Sequence, residues 1–64
     1  MTSEQLAAVR VGDLVGLRDV LGRVTQATRS WFMVSWDGGN VEIVKRRPSI
    51  LTGRLRRVVE AIDD

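Results

Sequence analysis

The residues Asp-Gly-Gly-Asn at positions 37–40 follow the stretch of the chain that most favours a β-strand, Trp31 to Trp36. Aspartate, asparagine and glycine readily adopt the left-handed backbone conformations that a tight hairpin turn requires. Aromatic and β-branched residues favour a pleated, half-buried strand. This hairpin constrains the fold because it commits the chain to antiparallel pairing. Alternation assigns the side chains of the strand to two faces, with Phe32, Val34 and Trp36 on one and Trp31, Met33 and Ser35 on the other.

The rest of the chain after Arg10 consists of short extended runs separated by turn signals, at intervals of roughly ten residues. This spacing is typical of a small sandwich or barrel, and a barrel is favoured because closure removes exposed sheet edges. The turn at residues 19–22 is predicted to use Gly22 at a positive φ. Residues 49–53 are predicted to form a turn or one turn of 3₁₀ helix that buries Ile50 or Leu51. The predicted strands are Leu14–Arg18, Leu21–Thr28, Trp31–Trp36, Val41–Val44 and Arg54–Val59.

The first residues are predicted to form a short helix from Thr2 to Val9. Thr2 and Gln5 have the spacing of a capping box, in which each side chain accepts a hydrogen bond from the other residue's backbone N–H. Leu6 and Val9 would share one face and cover an end of the barrel. We therefore predict one mainly all-β domain, with a helical segment at 1–10, a five-stranded barrel at 11–59 and an acidic tail at 60–64.

Three segments resemble a known family of folds. They are Val-Gly-Asp-Leu-Val at 11–15, Gly-Arg-Val at 22–24, and Phe-Met-Val-Ser-Trp-Asp-Gly-Gly at 32–39. They resemble the SH3-like barrels of the Tudor and KOW type, in which Gly-Asp opens the first strand and Gly-x-Val lies in the second. The resemblance spans residues 11–58 and implies a five-stranded SH3-like barrel. It does not select a ligand, because such barrels bind methylated peptides, DNA, RNA and partner proteins alike.

A second resemblance is to the type II dihydrofolate reductases, which are SH3-like barrels that assemble as tetramers around a pore. A Val-Gln-Ile-Tyr strand lines that pore. This chain has Val-Glu-Ile-Val at residues 41–44 in a comparable place. Both polar members, the glutamine and the tyrosine, are therefore replaced, and this difference argues against reductase activity.

The composition argues against an enzyme. The chain of 64 residues has no cysteine and no histidine, so it has no thiolate nucleophile, no imidazole base and neither of the commonest transition-metal ligands. Asp13 and Asp37 lie beside glycines in turns, where aspartate usually bonds to backbone N–H groups. We predict no catalytic residue, no metal site and no cofactor.

Two features of the sequence bear on where the protein is located in the cell. No apolar run approaches the ~20 residues that span a bilayer. The first residues lack the basic start of a signal peptide. We therefore expect a cytoplasmic protein without a membrane partner, and its small size suits the genomes of phages or plasmids.

The positive charge is concentrated in one segment. Residues 45–57 contain six cations and no acid, and acids return in the tail. Arginine and lysine bind nucleic acids by neutralising backbone phosphates and releasing counterions. The leading prediction is a nucleic-acid-associated accessory protein that binds DNA or RNA, and the alternative is a solvated charged face. The predicted phosphate-binding residues are Lys45, Arg46, Arg47, Arg54, Arg56 and Arg57.

The aromatic residues support a second prediction. Phe32 and Trp36 are predicted to belong to the core, whereas Trp31 and Met33 would lie on the outer face. There they would stack on a base, with Arg23 and Arg29 as a cationic rim, or contact another protein. The alternative function is therefore a protein–protein adaptor or self-assembling subunit that presents Trp31, Met33 and Leu14 to a partner or to a copy of itself.

Overall fold

The computed structural model describes residues 1–59, so the predicted acidic tail at 60–64 lies outside the described residues. The helices and strands fall close to the predicted positions, with ends that differ by one or two residues. In chain order the elements are α1 (Ser3–Ala8), β1 (Leu14–Leu17), β2 (Val20–Ala27), β3 (Trp31–Trp36), β4 (Val41–Lys45), α2 (Ile50–Arg54) and β5 (Arg56–Val58).

The strands form one antiparallel five-stranded sheet in the order β4-β3-β2-β1-β5. Consecutive strands from β1 to β4 pair with each other, and β5 returns to pair with β1. This confirms the predicted mainly-β class with five strands and a short N-terminal helix. The pairings within residues 1–59 do not join β4 to β5. Both strands are therefore edges of the hydrogen-bonded sheet. The backbone pairing among these residues does not close the sheet into a barrel.

The core confirms the alternation predicted for β3. Phe32, Val34 and Trp36 are buried, while the side chains between them are only partly buried. The turn that follows has Gly38 and Gly39 at positive φ, as a tight hairpin requires. The buried cluster joins α1 to the inner face of the sheet and to the residue before β5. It consists of Leu6, Val9, Val15, Val24, Phe32, Val34, Trp36, Val44 and Leu55.

Helix α1 is capped and packed as predicted. The Thr2 hydroxyl accepts from the Gln5 backbone N–H at 3.2 Å, and the Gln5 side chain accepts from the Thr2 N–H at 2.9 Å. Leu6 and Val9 are buried against the sheet. The amino group of Met1 donates to the carbonyls of Thr52 and Leu55, at 2.7 and 2.9 Å. A helix this short would not persist alone, so these contacts hold it in place.

The prediction for Gly22 is wrong. The turn between β1 and β2 uses Arg18, whose φ is +55°, and Gly22 lies inside β2 opposite Trp36. A Cβ built on Gly22 would lie 2.5 Å from Cγ1 of Val34 and 2.6 Å from Cε3 of Trp36. Glycine is therefore required at this position by close packing and not by a left-handed backbone.

The segment after Pro48 forms a short α-helix instead of a turn or 3₁₀ helix. Ser49 and Thr52 make a reciprocal capping box at its start. The buried residue of α2 is Thr52, whose hydroxyl also donates to the carbonyl of Arg47 at 2.9 Å. Of the two residues offered for burial, Leu51 packs partly against the core, whereas Ile50 is 80% exposed.

Candidate interaction surfaces

The outer face of β3 and β4 presents an apolar surface to solvent. The strand register places Met33 opposite Ile43 and Trp31 opposite Lys45, so these side chains share a face. Trp31 and Met33 are partly buried there, while Val41 and Ile43 are 59% and 54% exposed. Monomeric proteins rarely leave contiguous large apolar side chains exposed without a functional reason. We call Trp31, Met33, Val41 and Ile43 the outer apolar stripe.

The edge of β4 adds unpaired backbone groups to this stripe. Residues opposite each other in an antiparallel pair alternate between bonded and non-bonded pairs. The N–H of Trp36 donates to the carbonyl of Asn40 at 2.7 Å, and that of Arg46 donates to Ser30 at 2.9 Å. By this alternation the backbone groups of residues 42 and 44 point towards β3. Those of Val41 and Ile43 therefore point away from the sheet, where β4 has no strand neighbour among residues 1–59.

Arg46 is bound inside the fold and does not form part of an open basic surface. Its Nε donates to the carbonyl of Thr28 at 2.8 Å. Its two terminal nitrogens donate to the carbonyls of Leu6 and Val9, at 2.6 and 2.9 Å. The guanidinium also lies over the ring of Phe32, 5.4 Å from its centroid. The charge therefore joins the C-terminal end of α1 to the sheet, a role that no local feature of the sequence indicates.

The other predicted phosphate-binding residues are exposed and lie on different elements of the fold. Lys45 lies on β4 at one edge of the sheet, while Arg56 and Arg57 lie on β5 at the other edge. Arg56 and Arg57 are consecutive strand residues and so point to opposite faces. The Arg56 guanidinium lies across Gly16, since a Cβ at Gly16 would be 2.7 Å from its central carbon. Arg47 and Arg54 flank α2.

The described part of the chain is more basic than the whole. Three of the eight acids are Glu60, Asp63 and Asp64, so residues 1–59 hold ten lysines and arginines against five acids. On the outer face, Lys45 lies opposite Trp31 at one end of β3, and Arg23 lies opposite Ser35 near the other end. Lys45 therefore lies beside the outer apolar stripe, whereas the Arg23 guanidinium donates to the carbonyl of Gly12 at 2.7 Å. Arg29 instead lies beside Arg46, near Ala7 and Ala27.

The three aspartates among residues 1–59 lie in or beside turns, whereas Glu4 lies in α1 and Glu42 lies in β4. The Asp13 carboxylate accepts from the backbone N–H of Arg10 at 2.9 Å, which closes the turn before β1. Among residues 1–59, no three acidic side chains lie close enough together to hold a metal ion. Neither helix in that range is long and apolar enough to cross a membrane.

One apolar groove was not predicted from the sequence. It lies between the β1–β2 turn and α2, and it has a volume of about 480 Å³. No local pattern in the sequence indicated it, because the exposure of Ile50 depends on which side of α2 meets the core. The groove is lined by Leu17, Arg18, Val20, Ile50, Leu51 and Arg54. No protein-family model, curated protein or solved structure matches the chain.

Proposed function

We propose that this chain is a non-enzymatic binding module that associates with a second copy of itself through the edge of β4 and the outer apolar stripe. The observation that carries the proposal is the combination of exposed Val41 and Ile43 with outward-pointing backbone groups at the same residues. An edge strand of this kind is a template for another strand unless something covers or charges it. Five short antiparallel strands over residues 14–58 support the SH3-like barrel of Tudor or KOW type as part of this proposal.

The sequence of β4 suits antiparallel pairing with its own copy. A two-fold axis at Ile43 brings the outward-pointing groups of Ile43 in the two copies together. Val41 then pairs with Lys45 of the partner subunit, and Glu42 pairs with Val44 of the partner subunit. No like charges lie directly opposite each other in this register, which avoids the main penalty in cross-strand pairs. Each residue pair occurs twice, once on each side of the two-fold axis, as an isologous interface requires.

The size of the domain also favours association. A chain of 64 residues buries only about 60% of the surface that its unfolded form exposes, so its own core gives limited stability. Oligomerisation is a common way for such a small domain to bury more apolar surface. Pairing through β4 would cover Ile43 and Val41 and extend the outer apolar stripe across both copies. The proposed interface would therefore remove the apolar side chains of this edge from water.

The substitution Ile43→Lys tests this proposal. It removes the apolar side chain at the two-fold axis and places two positive charges opposite each other. We expect the dissociation constant of the dimer to rise by roughly 100-fold or more, because burial of one such side chain is worth about 1.5–3 kcal/mol and occurs in both copies. Sedimentation velocity over a concentration series measures the change. Hydrogen exchange of the Val41 and Ile43 amides should also slow as the unaltered protein is concentrated.

Ile50→Lys is the matched control, because Ile50 is even more exposed but lies on α2 and not on β4. We expect this variant to associate like the unaltered protein. Both variants should keep their unfolding temperature, since surface substitutions usually change stability by less than about 0.5 kcal/mol. A protein that stays monomeric at its highest soluble concentration, or equal loss of association in both variants, would rule the proposal out.

Nucleic-acid binding is a second candidate function. It is favoured by the excess of cations over acids in residues 1–59 and by the placement of Trp31 and Lys45 on one face. Base stacking on an aromatic side chain beside cations is a common way of binding single strands. Arg46 is excluded from the proposed contacts because its guanidinium is bound to three backbone carbonyls. The remaining candidates are Lys45, Arg47, Arg54, Arg56 and Arg57.

The double substitution Arg56→Ala and Arg57→Ala tests this second function. An interface that neutralises three phosphates of duplex DNA should lose about 40-fold in affinity when salt rises from roughly 50 to 200 mM. Each phosphate contact removed should lower the salt slope by about one. Fluorescence anisotropy with labelled oligonucleotides at the two salt concentrations measures both effects. Arg10→Ala with Arg29→Ala serves as a control of equal charge, and affinity that is insensitive to salt would refute phosphate binding.

A further inference from the structure

The groove between the β1–β2 turn and α2 combines an apolar floor with a positively charged rim. Leu17, Val20 and Leu51 contribute to the floor. Arg18 lies on the turn and Arg54 lies at the end of α2, so each side of the groove has one guanidinium. The groove lies at the opposite end of β1 from Leu14. Its lining shares no residue with the outer apolar stripe.

Ile50 is exposed at this groove and is not part of the hydrophobic core. The Ser49–Thr52 capping box fixes the start of α2, and the burial of Thr52 fixes which side of α2 faces the core. Ile50 then points outward and is 80% exposed, more than either apolar residue of the β4 edge. A branched apolar side chain in the first turn of a helix has no structural advantage there, because β-branched residues are not favoured helix formers. The exposed position suits contact with another molecule.

Arg18 is held in a backbone conformation that arginine disfavours. Its φ of +55° lies in the left-handed region, which glycine and asparagine adopt far more readily. The turn from Leu17 to Val20 needs only a residue that tolerates this conformation, and nothing in the strand pairing requires a long cationic side chain. Strain of this kind persists mainly where the side chain has a function. At Arg18 that side chain lines the groove.

We propose that this groove docks an acidic protein segment, one in which a branched apolar side chain is flanked by carboxylates. The apolar side chain would lie on the floor beside Ile50. The flanking carboxylates would meet the guanidinium groups of Arg18 and Arg54, whose planar forks suit carboxylates. A phosphate backbone would use the two arginines but leave the apolar floor unfilled. The combination therefore favours an acidic peptide over a nucleic acid, and it does not depend on self-association through β4.

A synthetic peptide supplies the probe. The sequence Glu-Ala-Ile-Asp-Asp has the required chemistry, and it is also the sequence of residues 60–64 of this chain. Two matched peptides separate the two parts of the proposal: Gln-Ala-Ile-Asn-Asn lacks the charges, and Glu-Ala-Ser-Asp-Asp lacks the apolar side chain. Chemical-shift titration of the full chain should show that the first peptide perturbs the groove residues. Both altered peptides should bind at least tenfold more weakly.

Three variants of the full chain locate the site. Ile50→Ser and Arg54→Gln should each weaken binding of the acidic peptide by about tenfold, in line with loss of one apolar or one charge-assisted contact. Arg18→Gly should weaken binding to a similar degree while its unfolding temperature stays the same or rises. Weaker peptide binding without a lower unfolding temperature distinguishes a binding role of Arg18 from a structural one. Ile43→Lys serves as the control and should bind the peptide normally.

Several results would overturn the docking proposal. They are peptide binding that Ile50→Ser leaves intact, chemical-shift changes confined to residues outside the groove, and an Arg18→Gly variant that is less stable but binds normally. A single-stranded oligonucleotide that perturbs the same groove residues, and whose binding Ile50→Ser does not weaken, would assign the groove to nucleic acid instead. Loss of association in Ile43→Lys with normal peptide binding would keep the two proposals independent.

Discussion

Replacing Arg46 with alanine is expected to lower the free energy of unfolding by about 3 kcal/mol. The guanidinium donates to the carbonyls of Leu6, Val9 and Thr28, and it packs over Phe32. Alanine would leave those carbonyls without their charged donor and would remove the contact with the ring. A domain of this size has only about 3–10 kcal/mol of stability in total, so the loss is large. Thermal unfolding should occur about 15 °C lower.

Arg47→Ala is the matched control for Arg46→Ala. Arg47 is the next residue, carries the same charge and is exposed, so we expect its removal to change stability by less than about 0.5 kcal/mol. Arg46→Lys should recover only part of the loss, because an ammonium cannot reach three carbonyls in the geometry of a planar fork. Circular dichroism during thermal and urea unfolding provides the comparison. Equal stability of the Arg46→Ala and Arg47→Ala variants would show that the internal contacts of Arg46 contribute little.

The Arg46 prediction bears directly on the basic segment. An alanine variant at this position would lose nucleic-acid binding through unfolding even if Arg46 never touched a phosphate. Loss of binding after Arg46→Ala alone therefore cannot identify a contact. The exposed arginines of β5 provide the cleaner test, because their substitution leaves the internal contacts of α1 intact.

The β3–β4 hairpin was predictable because its signals are local. Two glycines permit the turn, and the period of a strand places Phe32, Val34 and Trp36 together on one face, opposite the face that carries the polar Ser35. The capping box of α1 was predictable for the same reason, since Thr2 and Gln5 are only three residues apart. In both cases the residues that decide the structure are neighbours in sequence.

The role of Arg46 could not be predicted in this way. Its hydrogen bonds reach the carbonyls of residues that are 37 and 40 positions away in the chain. In the sequence it is one of six similar cations, and nothing local separates it from Arg47. Ile50 is similar, because its exposure depends on which side of α2 meets the core, and the buried hydroxyl of Thr52 decides that. Tertiary contacts therefore determine both the internal role of Arg46 and the exposure of Ile50.

The requirement for glycine at position 22 also comes from tertiary packing, and it leads to a further prediction. Gly22→Ala is expected to lower the free energy of unfolding by about 2 kcal/mol, since overpacking a well-packed core typically costs about 1–3 kcal/mol. The new Cβ would meet Val34 and the Trp36 ring at 2.5 and 2.6 Å, and both of those side chains are buried. Neither can move without disturbing the rest of the core. Urea unfolding measured by tryptophan fluorescence would report the stability through the combined signal of Trp31 and Trp36.

Two other glycines provide graded controls for this prediction. At Gly16 the new Cβ would meet only the flexible end of Arg56, which can move away, so we expect a change within about 0.5 kcal/mol. At Gly53, inside α2, nothing lies within 4 Å, and alanine should stabilise the helix by roughly 0.5–1 kcal/mol. The order of stability should therefore be Gly53→Ala, then Gly16→Ala, then Gly22→Ala. If Gly22→Ala is as stable as Gly16→Ala, then β2 and β3 pack less closely at this point than the structure describes.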